Sequence, residues 1–204
     1  MKRINKIILV LMVPLMFELV VSCCNCIETT YLNYTHCGLT IKNLDNSGAS
    51  PVVAQSNSIS KNAYGIRLSI KRSENYCELK RSNSFFIQSV YATSCDCPPE
   101  FQYMPLDSIV SVKLTTFSAF DSKHIAGSDI TDLFYVYSGY DFRKISEQLE
   151  NLVTELYHFI NPTFQFDILL MSPPTIGMAH EFEVLIELSD GRVFKSQTGI
   201  INLN

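Results

Sequence analysis

The chain has 204 residues, with 16 Lys and Arg against 20 Asp and Glu and a formal charge of −4 at pH 7. That balance excludes nucleic acid as a partner, because phosphate binding needs Lys and Arg concentrated on one face to displace counterions. The one loose basic stretch, Arg67, Lys71, Arg72, Lys80 and Arg81, reads as a solvated strand face, and the apolar content is high enough for an ordinary buried core.

In chain order, the first segment sets the location. Lys2, Arg3 and Lys6 give a positive start, a mostly apolar run follows from Ile7 to Val21, and Ser22 supplies a small residue, the three-part layout of a secretory signal. The run falls short of the roughly 20 apolar residues a membrane-crossing helix needs, and Pro14 and Glu18 interrupt it. Val20-Val21-Ser22-Cys23 resembles the lipobox of bacterial lipoproteins. The resemblance implies a signal peptide over residues 1–22, cleavage before Cys23, and lipidation of the Cys23 sulfur and the new amino terminus. The remainder, residues 23–204, reads as a single β-rich domain, more acidic than the precursor because it loses three cations and only Glu18.

Seven cysteines are present. With Cys23 assigned to lipid, an even set remains: Cys24, Cys26, Cys37, Cys77, Cys95 and Cys97. This is the arithmetic of a disulfide framework in an oxidising compartment. Cys24/Cys26 and Cys95/Cys97 are i, i+2 pairs, which point to the same side of a strand and would be strained if bridged internally. Pairing these two couples with each other, and Cys37 with Cys77, is the favoured arrangement; other connectivities stay open. Zinc is the rival reading, but structural zinc sites use two to four intervening residues, so no metal is expected.

Leu39 to Leu44 and Val52 to Ala54 are short strand candidates. In Tyr64 to Lys71, Ile66, Leu68 and Ile70 alternate with Arg67, Ser69 and Lys71, the pattern of a half-buried strand. Ser84 to Ala92 reads similarly and is stopped by Pro98-Pro99. Asp107 to Thr116 is expected to turn Val110, Val112 and Leu114 inward. Phe117 to Gly139 is then a long aromatic and acidic connection, with a short strand expected over Leu133 to Tyr137. As the longest loop on a rigid scaffold it is the expected binding element, through Phe120, Asp121, His124, Asp129, Asp132, Tyr135 and Tyr137.

Asp141 to Ile160 is expected to be an amphipathic helix. Phe142, Ile145, Leu149, Leu152, Val153, Leu156 and Ile160 recur at helical steps, with Asp141 as cap and Pro162 beyond the end. Such a stripe reads as a core face. Phe164, Phe166, Ile168 and Leu170 form a further strand. Phe182, Val184, Ile186 and Leu188 form another, and after the turn Ser189-Asp190-Gly191-Arg192 the chain is expected to return over Val193 to Asn204 as a β-hairpin. One-sided strands without βαβ alternation predict a mainly β fold, an antiparallel β-sandwich (immunoglobulin-like or related) with one packed α-helix. A single sheet covered by the helix is the runner-up.

No catalytic constellation is evident. His36, His124, His158 and His180 are scattered and form no His-Glu-x-x-His pattern, there is no Gly-x-Ser-x-Gly elbow, and Asp121, Asp129 and Asp132 do not have EF-hand spacing. The expectation is a non-enzymatic protein with no cofactor and no metal.

The lipobox, the start Cys23-Cys24-Asn25-Cys26-Ile27-Glu28, and the run from Asp107-Ser108-Ile109 through His124-Ile125-Ala126-Gly127-Ser128-Asp129 to Phe134 resemble an uncharacterised lipoprotein family of Bacteroidetes-type Gram-negative bacteria, a domain of unknown function. The resemblance covers most of the mature chain and implies a cell-envelope protein held to the membrane by its N-terminal lipid. Residue 24 is Cys, not the Asp that retains many lipoproteins at the inner membrane, so the outer membrane is favoured. Only Glu28 follows the anchor as an acidic residue, which leaves the periplasmic or surface face open. Within that setting the expected role is that of a non-enzymatic binding or structural module, engaging another envelope component or an extracellular protein through its loops. The alternatives are a glycan-binding accessory of polysaccharide uptake, using Tyr135, Tyr137 and Tyr140, and a hydrolase built on His124 and Asp121.

Overall fold

The computed structural model describes residues 30–73, 101–152 and 163–204. The chain divides into two compact units, residues 1–31 with 79–102 and residues 32–78 with 103–204; the described residues belong almost wholly to the second, and the fold below is that unit's. Cys23, Cys24, Cys26, Cys77, Cys95, Cys97, the signal segment and the expected strand Ser84 to Ala92 lie outside the described residues.

Thirteen strands are present among the described residues. The largest sheet contains β1 (Thr30–Asp45), β2 (Val52–Val53), β4 (Tyr64–Ser73), β5 (Phe101–Pro105), β7 (Phe134–Tyr137), β8 (Phe142–Lys144) and β9 (Thr163–Leu170), in the order β2-β1-β4-β9-β7-β8 with β5 also beside β1. A second sheet places β11 (Phe182–Leu188) between β6 (Ile109–Thr116) and β12 (Val193–Gln197), and a third places β13 (Ile201–Leu203) between β10 (Ala179–His180) and β3 (Ser58–Ile59). All registered pairs in the first two sheets are antiparallel; β13 and β3 run parallel. The fold is mainly β with one short helix, as the alternating sequence predicts.

Period-2 alternation explains which face of each strand is buried. On β4 and β9, Ile66 lies opposite Ile168 and Leu68 opposite Phe166, and β7 adds Phe134 opposite Leu170 and Val136 opposite Ile168. Val112 and Leu114 of β6 and Phe182, Val184, Ile186 and Leu188 of β11 join them in one apolar cluster with Ile201 and Leu203 of β13. This is the sandwich-like arrangement in which two sheets bury their apolar faces together. Phe182 is its hub, with ring centroids 5.4 Å from Tyr64, 6.0 Å from Phe134 and 6.3 Å from Phe120. Each fully buried large apolar side chain of this kind contributes about 1.5–3 kcal/mol. On the opposite face of the large sheet, Arg67 forks onto the Asp167 carboxylate through Nε and Nη2, both at 2.7 Å, across the β4–β9 pair. Gly65 allows β4 and β9 to approach, since a Cβ there would lie 2.4 Å from Leu169 Cδ2 and 2.8 Å from the Ile168 carbonyl.

Three expectations are corrected. Val110 is exposed and Ile109 is buried instead, because β6 carries one extra residue opposite the Glu187/Leu188 step of β11; a bulge of this kind reverses the alternation beyond it. The helix does not begin at Asp141. Phe142–Lys144 form β8, paired with Tyr135–Tyr137 of β7, and α1 spans Ile145–Leu152. Gly139 at φ 90° closes the intervening turn, Ser138 N–H donates to the Asp141 carbonyl at 3.1 Å, and Phe142 stacks at a tilt on Tyr137 with centroids 5.3 Å apart, so a hairpin competes successfully with the first helical turn. Val153 to Ile160 of the expected helix fall outside the described residues. Lastly, the C-terminal return is two strands: Val193–Gln197 pairs with β11, after which Gly199 at φ 68° redirects the chain into β13 of another sheet.

Candidate functional site

The expected binding loop is built from tight local turns rather than a floppy excursion. Asp121 accepts the backbone N–H groups of Lys123 and His124, both at 2.7 Å, an Asx turn that Ser/Gly-rich acidic loops favour. Its carboxylate also contacts His124 Nδ1 at 2.9 Å, and these hydrogen bonds, that of His124 first, hold the Asp121 carboxyl below the usual range. Phe120 is fully buried and its carbonyl accepts N–H bonds from Thr175 and Ile176 at 3.0 and 3.2 Å. It is a core plug, not a contact residue, which its position in a polar loop did not reveal. Downstream, Asp129 accepts Thr131 N–H at 2.9 Å and Thr131 Oγ1–H at 2.6 Å, while Lys113 Nζ lies 3.6 Å from its other oxygen. Tyr135 and Tyr137 are half-buried on β7.

Three of these residues meet at one place. His124, Asp129 and Asp132 line a cleft of about 720 Å³ together with the wall of β6 and the start of α1. Its apolar surface comes from Val110, Val112, Phe134, Ile145 and Leu149, and its polar side chains include Ser111, Thr131, Lys144 and Ser146. The geometry follows from the corrected secondary structure. Because β8 ends at Lys144, α1 starts beside β7 and packs against β6, β7 and β8, with Ile145 and Leu149 one helical turn apart on the inward face. The size falls within the range of about 300–1,000 Å³ typical of small-ligand sites, which are mostly apolar with a few placed polar groups. Asp132 and Lys144 are both exposed, and neither forms an ion pair or side-chain hydrogen bond among the described residues. The His124–Asp121 contact at 2.9 Å brings together the two residues of the hydrolase alternative; no hydroxyl is hydrogen-bonded to His124 among the described residues. No group of three or more His, Cys, Asp or Glu side chains suited to a metal ion occurs among the described residues.

A second cluster, absent from the sequence reading, is buried. Asp107 is 3% exposed and His36 4%. The Asp107 carboxylate receives Thr35 Oγ1–H, His36 Nδ1 and Arg192 Nη2 in short contacts, and His36 backbone N–H at 3.2 Å. Arg192 also donates to the His36 carbonyl at 2.7 Å, to Thr35 Oγ1 at 2.8 Å and to Asp190 at 2.6 Å. Arg72 lies over the rings of Tyr34 and Phe164, 4.9 and 4.5 Å from their centroids. Burial pushes the His36 imidazole below the ordinary histidine range, against the opposing hydrogen bond and charge of Asp107. The cluster joins β1, the β5–β6 connection and the β11–β12 turn, and its adjoining hollow holds almost no free space. It is a structural pin. Cys37, next to it, is the extra residue of a β1 bulge between His36 and Gly38.

The remaining histidine of the described residues, His180, is buried against Phe120 and stacked on Phe182 at 6.0 Å, with Ser118 Oγ 3.1 Å from Nδ1. Burial lowers its pKa as well. No signal in the sequence separates such a core histidine from a ligand; only its packing does.

Neither the curated proteins nor the solved structures contain a match to this chain. A family profile does match, over residues 36–199, a span that holds both the cleft and the His36–Asp107–Arg192 pin. The chain therefore belongs to the family described as Domain of unknown function (DUF5034).

Proposed function

We propose that this protein is a lipid-anchored component of a bacterial cell envelope, of the Bacteroidetes-type lipoprotein class, whose β-rich domain binds another molecule non-covalently through the cleft between β6 and α1. The observation that carries the binding role is the cleft itself: an apolar floor with charged groups at its rim, Asp132 and Lys144, that are unpaired among the described residues. The anchoring role rests on the signal-like start and Val20-Val21-Ser22-Cys23. No helix among the described residues is long and apolar enough to cross a membrane. Attachment in this reading is through the lipid on Cys23, and Cys in place of Asp at residue 24 favours the outer membrane. The disulfide at Cys37, whose partner lies outside the described residues, supports an oxidising compartment; a bridge of this kind stabilises by about 2–4 kcal/mol.

Replacing Cys23 with Ala tests the anchor. The expected result is an uncleaved, unlipidated precursor by intact mass, released from the lipid-modified membrane fraction. A normally cleaved N-terminus with unchanged fractionation sinks the reading.

A second reading, glycan binding, is favoured by one observation. The β7–β8 hairpin carries a fully exposed Tyr140 and an exposed Phe142 stacked on Tyr137, and aromatic faces of this kind can support sugar rings. Chemical-shift changes confined to this hairpin on titration with envelope polysaccharide fragments would favour it over the cleft.

A further inference from the structure

We propose that the cleft takes a short apolar peptide with free ends, its ammonium group held at Asp132 and its carboxylate at Lys144. The inference rests on the cleft being the binding site, and deepens that reading by naming the ligand class.

Four charged or titratable groups line the cleft: His124, Asp129, Asp132 and Lys144. Two are already engaged. His124 Nδ1 is held by Asp121 at 2.9 Å, and Asp129 satisfies Thr131 twice and faces Lys113 at 3.6 Å. Asp132 and Lys144 remain. They carry opposite charge, stand on different elements (the single 3-10 turn Thr131–Leu133 and the end of β8), and do not approach within ion-pair distance of each other. Arg67 is paired with Asp167, Arg143 with Asp141, and Arg192 with Asp190 and Asp107, whereas Asp132 and Lys144 form no ion pair or side-chain hydrogen bond among the described residues although both border the cleft. Leaving one acid and one base unmatched at the border of an apolar hollow is the arrangement that complements a zwitterion with an apolar body.

The same cleft is lined by Val110, Val112, Phe134, Ile145 and Leu149, which give the body of such a ligand an apolar seat. Phe134 and Ile145 are buried in the core cluster, so the seat is preformed. The volume is larger than one amino acid occupies, which favours a peptide of a few residues. A long-chain lipid offers the apolar body without the paired terminal charges, and a polysaccharide offers neither.

The test uses the full-length chain in lipid nanodiscs, with empty discs as blank, titrated with the tripeptide Leu-Phe-Leu in four forms: free, N-acetylated, C-amidated and doubly capped. Calorimetry reads affinity, and methyl resonances of Val112, Ile145 and Leu149 report the site. Each cap is expected to weaken binding by about fivefold, the size of one exposed ion pair. Asp132→Asn should abolish the effect of acetylation and keep that of amidation; Lys144→Gln should do the reverse. A doubly capped peptide that binds as tightly as the free one overturns the ligand class and leaves the cleft reading standing. If no form moves the three methyl signals, the ligand class and the cleft reading fall together.

Discussion

Asp107 and Asp132 occupy the two extremes of environment that this fold offers a carboxylate. Asp107 is 3% exposed and is gripped by Thr35, His36 and Arg192; Asp132 stands at the rim of an apolar cleft and is gripped by nothing among the described residues. A buried charge that lacks partners is strongly destabilising, so the first site must be saturated to exist at all. Water relieves the second of that requirement. Saturation of the Asp107 carboxylate therefore marks it as structural, with no acceptor capacity spare for a ligand, whereas the unsaturated rim retains capacity that a ligand can use.

The largest expected effect tests the pin. Asp107→Ala removes the common acceptor of four donor groups from three residues and leaves each of them one hydrogen bond short, and should lower the unfolding free energy by about 3–5 kcal/mol in chemical denaturation. A loss below about 0.5 kcal/mol would show that the cluster does not hold β1 to the β11–β12 turn.

A pH titration of stability sharpens the same point with a smaller effect. The folded pKa values of His36 and His180 lie below 6.5, chiefly through burial. The unfolded chain therefore takes up protons first as pH falls, so stability is fully present above about pH 6.5 and declines as pH drops below it toward the folded values. His36→Gln should flatten part of this slope below about pH 6.5, measured by denaturant midpoints. The half-buried Asp121 and the exposed Asp141 and Asp190, also shifted downward, act in the same direction but only near the acid end. An unaltered slope in the variant would assign the acid sensitivity elsewhere.

The smallest expected effect belongs to the cleft. Asp132→Asn and Lys144→Gln should each leave stability within about 0.5 kcal/mol of the parent, by the same denaturation assay. A large loss in either would erase the contrast, since it would mean that these charges support the fold.

The strands and their inward faces were legible from sequence because alternation is a local property. Ile66, Leu68 and Ile70, or Phe182, Val184, Ile186 and Leu188, declare a buried face without reference to any partner. The acidic loop was legible as a place to look, and three of its residues, His124, Asp129 and Asp132, do converge on the cleft. Where the sequence misled, a partner strand decided. Val110 follows its alternation until a bulge against β11 reverses it, and Phe142 satisfies a helical stripe until Tyr137 pairs with it in a hairpin.

The chain by itself determined the β-rich class and the polarity of each strand, since both depend on neighbours one or two residues away. Tertiary structure alone decided the pin and the site. His36 and Asp107 are 71 residues apart and Asp107 and Arg192 are 85 apart, and Lys144 and Asp132 share a cleft only because β8 delays the helix. Contacts over such separations leave no periodic trace in a sequence, because their energy is gained only after the sheets have formed and brought the groups together.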